Sequence, residues 1–247
     1  FPPWPHDDHL GSVPHEANPF RKEHGLDGKF VVMYSGNHSP ANPITTVLRA
    51  AERLRHRDDV VFAFVGGGAG KKEVREAVAR GATNVLDLPY QPLGRLRFSL
   101  SAADVHVVSL GDAGVGIVHP CKVYGAMAVG RPILFLGPRR SHVGELIDCY
   151  QVGRQVDHAD VAGMADAVVE LAAMPVASRQ AMGASGRRAV QVRLSKEALC
   201  RRFGDVVEAA LRGHGPYALP LEPRDGPAAP AVSHFPSEGE APRRDAA

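Results

Sequence analysis

The sequence predicts an α/β chain built on a doubly wound parallel sheet. Three observations carry this. Short runs of Val, Ile, Leu and Phe alternate with segments of helical spacing along most of the chain. The apolar runs lack in/out alternation, as strands covered on both faces do. Glycine-rich or polar loops follow each of the first four runs, and ligands in open parallel sheets bind beyond those strand ends. A chain of 247 residues that is 44% hydrophobic can bury one sizeable core.

The elements follow in order. Residues 1–28 are rich in Pro, His and Asp and lack periodicity, so they read as a linker or strap, with Trp4 between prolines as its anchor. From Lys29 the pattern turns regular. KFVVMYS is a strand, and the segment from Pro43 to Arg55 sets Ile44, Val47, Leu48, Ala51 and Leu54 on one helix face. The strand VVFAFVG, a helix from Lys71 to Arg80, a short strand from Asn84 to Leu88 and a helix from Leu93 to Ala102 come next. A strand from Asp104 to Val108 leads through a glycine-containing loop to a helix expected from Pro120 to Val129, since the fixed φ of proline suits a first turn. ILFLG is a further strand, and helices are expected from Ser141 and over Val161 to Ala173. The main body is thus 29–176. Residues 177–212 form two polar helices that pack on the body or cross to a neighbour, and 213–247, dominated by Pro, Ala, Glu and Gly, read as a disordered tail.

Composition excludes several classes. A net charge of +2, with Lys and Arg spread along helix faces and no run of stacking aromatics, argues against a nucleic-acid partner. Cys121, Cys149 and Cys200 are odd in number and form no CxxC, so neither a disulfide framework nor a zinc knuckle is indicated, and a reducing cytosol fits. No apolar run approaches the roughly 20 residues of a membrane span, and FPPWPHDDHL is not a signal peptide. A start at Phe1 in a Pro-rich stretch reads as the carboxyl half of a longer protein. No metal signature is visible.

The motifs lie in the loops. GGGAGKK, from Gly66 to Lys72, is not a P-loop, because Val65 and Lys72 occupy the places of its first glycine and its Ser or Thr. It also fails as GxGxxG, where Lys71 replaces the third glycine. Gly66 and Gly67 either admit a ligand to the backbone or make a strand-to-helix turn. Ser35 to Ser39, with Gly36, Asn37 and His38, is a polar loop of a size suited to a phosphate or sugar. Tyr90 and Gln91 offer a base an aromatic wall, or serve structure alone. Before the helix, His119 is either a donor to phosphate or a cap. Lys122, with the first-turn N–H groups, would converge on an anion, or be a solvated lysine in a packed corner. Cys121 beside it has no partner motif, and burial is its expected fate.

PPWPHDDH, NPFRKEHGLDGKFVVMYSGNHSP, FAFVGGG, NVLDLPYQP, LSAADVHVVSL and HPCKVYGAMAVGRPIL occur in this order. Together they resemble the nucleotide-sugar-binding carboxyl domain of the GT-B glycosyltransferases, in the retaining, family 4-like group of bacterial exopolysaccharide and colanic-acid-type enzymes, over about residues 1–210. The resemblance implies a Rossmann-like domain of a hexosyltransferase that moves a sugar from a UDP- or GDP-sugar to a polysaccharide or lipid-linked acceptor. It implies neither metal nor cofactor, an amino-terminal domain for the acceptor, and a cytoplasmic location with peripheral membrane contact. His119 and Lys122 would serve the leaving diphosphate. Gly36, Asn37, His38, Gly116, Ile117, Val118 and Cys121 would hold diphosphate and sugar, and Gly66, Gly67, Tyr90, Gln91 and Gly125 the nucleoside. Many members carry two glutamates flanking this loop, the second binding the ribose; here Ile117 and Gly125 stand there. Many also place Arg and Lys after the first strand, where this chain has Asn37, His38 and Ser39. A non-catalytic nucleotide-sugar-binding module and a GT-B sugar epimerase are the alternatives.

Overall fold

A computed structural model describes residues 10–212. Six strands form one parallel sheet in the order β3-β2-β1-β4-β5-β6: β1 Phe30–Ser35, β2 Val60–Val65, β3 Val85–Leu88, β4 Val105–Ser109, β5 Ile133–Leu136 and β6 Gly153–Val156. The chain winds outward from β1 to β3, then returns past β1 to lay down β4. The order reverses between β1 and β4, which is where such sheets open a ligand crevice. β1 pairs with β2 from Phe30↔Val60 to Ser35↔Val65. With β4 the register covers only Val32↔Val105 and Met33↔His106. The ends of β1 and β4 are instead joined by loop residues: Asn42 Nδ2 donates to Ser109 O at 2.6 Å and Gly111 N to Ala41 O at 2.9 Å.

Helices cover both faces. On one side α2 (Thr45–Arg53), α3 (Lys71–Ala79) and α7 (Val161–Ala173) bury Val47, Ala50, Ala51, Val74, Met164, Val168 and Leu171 against Val32, Phe62, Phe64, Val107 and Leu134. The 3.6-residue period of these positions is what made the helices readable. On the other side, α5 (Lys122–Ala128) and α6 (His142–Tyr150) enclose Val123, Tyr124, Met127, Val143 and Leu146 with Val108, Ile133 and Phe135. Asp160 caps α7 by accepting from Gly163 N at 2.8 Å, and Ser141 caps α6 through Gly144 N at 3.3 Å. α8 (Val176–Arg188) continues through a wide turn at Ala189–Arg193 and meets α5, where Gly183 lies so close that a Cβ would stand 1.9 Å from Gly130 O. α9 (Lys196–Leu211) is largely exposed beyond Leu199.

Several elements depart from expectation. The helix expected from Pro120 starts at Lys122, because Val123 N and Tyr124 N bond to Pro120 O and Cys121 O, three residues back, before the α-helical pattern begins. The segment expected as a helix from Leu93 opens with a tight turn at Leu93–Arg95, and only α4 (Leu96–Ser101) is α-helical. β6 has no counterpart in the sequence reading. Within 10–28, Asn18 accepts from Phe20 N at 3.0 Å and starts α1 (Pro19–Glu23). Phe20 and Leu26 then join Val31, Met33 and Ala63 in the core. The expected anchor Trp4 and the expected tail 213–247 lie outside the described residues.

The buried histidines make the fold pH-sensitive. His106 lies inside β4, its Nε2 bonded to Leu100 O at 2.9 Å, and burial lowers its pKa to about 4. His38 and His142 are lowered to about 4 as well, chiefly by burial. A histidine with a folded pKa below its unfolded value near 6.5 binds more protons unfolded, so its contribution is complete above about pH 6.5 and is lost as pH falls toward 4. The unfolding free energy measured in urea is therefore expected to fall between pH 7 and 4.5, by up to about 1.4 kcal/mol per pH unit for each histidine. His106→Gln, which keeps an N–H donor for Leu100 O, should flatten the slope. An unchanged slope in that variant would refute the assignment.

Candidate functional site

The site gathers where β1 and β4 part. Gly36 follows β1 with φ +124°, a left-handed backbone that favours glycine, and the stem of Lys122 lies across it: a Cβ there would stand 2.9 Å from Lys122 Cε. Lys122, the first residue of α5, holds its Nζ 5.2 Å from the centroid of the buried Tyr34 ring. The tyrosine is fixed from β1 by its hydroxyl, which donates to Asn37 O at 2.9 Å. Burial lowers the Lys122 pKa, and among the described residues the ammonium has no carboxylate or hydrogen-bond partner. An ammonium so placed, over an aromatic face and short of counter-charge among the described residues, carries a partly desolvated charge that nothing there offsets.

The loops after β1 and β2 interlock through their backbones. His38 N donates to Gly67 O at 2.7 Å and Gly70 N to His38 O at 2.9 Å. A Cβ on Gly66 would stand 2.1 Å from Gly36 O, and one on Gly68 would stand 2.3 Å from Asn37 Oδ1. The missing side chains at Gly66 and Gly68 thus make room for this neighbouring loop. His38 is only 1% exposed, with Nδ1 3.3 Å from Gly67 O. Its pKa is lowered by burial and then by the Lys71 cation. Lys71, in the place of a third glycine, is buried: its ammonium bonds Phe64 O, Leu88 O at 2.8 Å and Asp87 Oδ1 at 2.8 Å, tying the ends of β2 and β3.

On the β3 side the Tyr90 ring lies on Gly67, with its Cε2 3.0 Å from a Cβ placed there, and it remains 59% exposed. Gln91 is held by Pro89 O at 3.1 Å. The loop after β4 turns at Asp112–Gly114 and carries Gly116 (φ +77°) and Ile117, which is 84% exposed. Val118 packs onto the α5 and α6 core. Gly125 is buried within α5. Cys121, expected to be buried, is exposed: it occupies the N-cap position of α5 without a side-chain capping bond, its Sγ 3.5 Å from His119 O.

His119 belongs to a cluster that sequence reasoning missed. Its Nε2 lies 2.8 Å from Tyr124 Oη, which lies 3.1 Å from His142 Nε2, and the two imidazoles are 4.5 Å apart. Burial lowers the His119 pKa and raises that of Tyr124. Nothing in the spacing connects residue 142 with 119; only the fold of α6 against α5 brings them together. Tyr34, under Lys122, was legible only as a strand residue. Among the described residues no three His, Cys, Asp or Glu side chains converge as a metal site, and no single helix is long and apolar enough to cross a membrane.

The sheet order and its loop-lined switch point define a Rossmann-like α/β domain. The chain belongs to the family described as glycosyl transferases group 1, whose model matches residues 29–174. It is 26% identical over 209 residues, 84% of this chain and 51% of the relative, to "Probable glycosyltransferase WbjE" of Pseudomonas aeruginosa. It is 30% identical over 125 residues, 50% of this chain and 30% of the relative, to "Putative colanic acid biosynthesis glycosyl transferase WcaI" of Escherichia coli strain K12. Among solved structures it is similar to Anabaena Alr3699/HepE, which was crystallised with UDP and glucose, at a TM-score of 0.67 and 15% identity, covering 83% of this chain and 55% of that one. The chain thus spans about half the length of WbjE and less of WcaI.

Proposed function

We propose that this chain is the donor-binding half of a retaining, family 4-like glycosyltransferase, which takes a hexose from a UDP- or GDP-sugar without a metal. The acceptor, a polysaccharide or lipid-linked saccharide, would sit against an amino-terminal domain at the cytoplasmic face of a membrane. The observation that carries this reading is Lys122: a half-buried ammonium, without counter-charge among the described residues, at the switch point between β1 and β4. Departure of the sugar builds negative charge on the diphosphate, and a fixed cation already desolvated stabilises that charge more than water does. Gly36 and Asn37 offer the backbone at the end of β1, Gly116 and Ile117 border the sugar, and His119 faces the diphosphate. Tyr90, resting on Gly67, stacks the base, with Gln91 beside it. With Gly125 buried in place of a carboxylate, the ribose is held by other groups. The match to WbjE supports a glycosyltransferase, and the likeness to HepE, crystallised with UDP and glucose, supports a nucleotide-sugar donor.

A thermal-shift panel of UDP, GDP, ADP, CDP and their sugar conjugates tests the reading. A ligand that binds only the folded chain stabilises it by about 2.7 kcal/mol at a hundred times its Kd. One diphosphate is expected to raise the Tm and so to name the base. No shift with any of them, at millimolar concentration, would overturn the proposal.

A further inference from the structure

We propose that Tyr124 and His142 are positioning residues that set the tautomer of His119, with His142 Nε2–H donating to Tyr124 Oη, Tyr124 O–H donating to His119 Nε2, and the His119 proton left on Nδ1. The inference about the chain of hydrogen bonds stands on geometry alone. Its ligand, a diphosphate oxygen that accepts from Nδ1–H, rests on the donor-domain reading above.

Three observations order the protons. A tyrosine hydroxyl carries a single proton, so it can donate to only one of the two imidazoles. Hydroxyl donors make shorter bonds than N–H donors, and the shorter contact, 2.8 Å, is the one to His119, while 3.1 Å separates Tyr124 from His142. His119 Nδ1 has no hydrogen-bond partner among the described residues and is not among their buried, unsatisfied atoms, so it is the nitrogen left open.

The surroundings keep all three groups neutral, which is the condition for tautomers to matter. Burial lowers both histidines, and the His119 ring further lowers His142. Burial raises Tyr124 far above neutrality, with Cys121 and Tyr150 adding to it. Among the described residues, the carboxylate Glu145 Oε2 stands 3.9 Å from His142 Nδ1, beyond hydrogen-bond range. Tyr124 itself is 1% exposed, so its ring cannot turn away from either imidazole without opening the α5 core. A neutral imidazole locked as the Nδ1–H form presents a donor to an anion without first having to be protonated, whereas the Nε2–H form would turn a lone pair toward the same oxygen.

The test is the nitrogen-15 spectrum of the histidine rings in the 247-residue chain without nucleotide, at neutral pH. His119 is expected as Nδ1–H, the less common form of free imidazole. Tyr124→Phe keeps the ring in the core and removes the hydroxyl, and it should return His119 to Nε2–H. His142→Gln keeps a side-chain N–H donor for Tyr124 Oη and should preserve Nδ1–H on His119. Nε2–H in the parent chain, or an unchanged His119 in Tyr124→Phe, overturns the inference. UDP and GDP are then titrated. Movement of the Nδ1 signal, with binding about threefold to tenfold weaker in Tyr124→Phe, supports the diphosphate as ligand. Binding with a stationary Nδ1 signal overturns that ligand. An Nδ1–H form in a chain that binds neither nucleotide supports the relay and overturns the donor-domain reading instead.

Discussion

Replacing Lys122 by alanine is expected to weaken nucleoside diphosphate binding by more than tenfold, about 1.4 kcal/mol or more, and to leave the Tm of the free chain unchanged or slightly raised. The two halves of this result have one cause. The ammonium is half-buried beside Tyr34, with no carboxylate among the described residues to repay its loss of water. Removing it takes away an uncompensated charge from the free chain and the counter-charge from the complex. Lys71 is the internal contrast. The same residue type, 2% exposed, has two carbonyls and Asp87 around its ammonium. Its truncation would take the ammonium from Phe64 O and Asp87, leave Leu88 O with Gly66 N alone, and lower stability. Calorimetric titration and thermal melts of Lys122→Ala decide the matter. Equal affinity in variant and parent would remove Lys122 from the site, and a large fall in Tm would make it a structural lysine like Lys71.

Arg21→Met is expected to destabilise the chain by about 3–5 kcal/mol, the cost of breaking a buried ionic cluster by removing one partner. Arg21 is 2% exposed. Its guanidinium donates to Ala102 O, Leu26 O and Lys29 O at 2.6 Å each and lies 3.3 Å from Asp104 Oδ2. Asp104 accepts in turn from Val31 N at 2.9 Å. One side chain therefore closes the α1 turn, the start of β1 and the end of α4, and methionine would fill much of its volume while taking the guanidinium from Ala102 O and Lys29 O and leaving Leu26 O with Lys29 N alone and Asp104 with Val31 N. Urea unfolding measures the change; a loss below about 1 kcal/mol would show that the cluster is dispensable.

The sheet was readable because its strands are short and apolar on both faces, from FVVMYS to ILFL, and because α2 and α7 repeat their buried residues at helical spacing. β6 was not, since GRQV has one branched apolar residue and the strand exists only through its pairing with β5 at the sheet edge. The turn of α1 had a local sign in Asn18-Pro19, a cap followed by a first-turn proline, which the surrounding Pro and His obscured. At the candidate site, Lys122, Gly36 and Tyr90 were legible as residue types in loops beyond strand ends. Their arrangement was not: that Tyr34 underlies Lys122, or that His142 reaches His119 through Tyr124, depends on tertiary packing between elements distant in sequence. The triglycine was ambiguous for a similar reason, because a glycine that admits a ligand and one that admits a neighbouring loop look alike in sequence.

That interlock of the loops after β1 and β2 has a consequence for divergence. The rim of the crevice is held by main-chain bonds between His38, Gly67 and Gly70, and by glycines whose Cβ positions are already occupied by backbone or side-chain atoms. Tyr90 and Ile117 project from it into solvent and bury little. Where this exposed pair meets the donor, as proposed above, changes that alter recognition and changes that endanger folding would fall on different residues. A lineage could then exchange the pair while keeping the glycines, so that one scaffold would drift among ligands without passing through an unfolded ancestor.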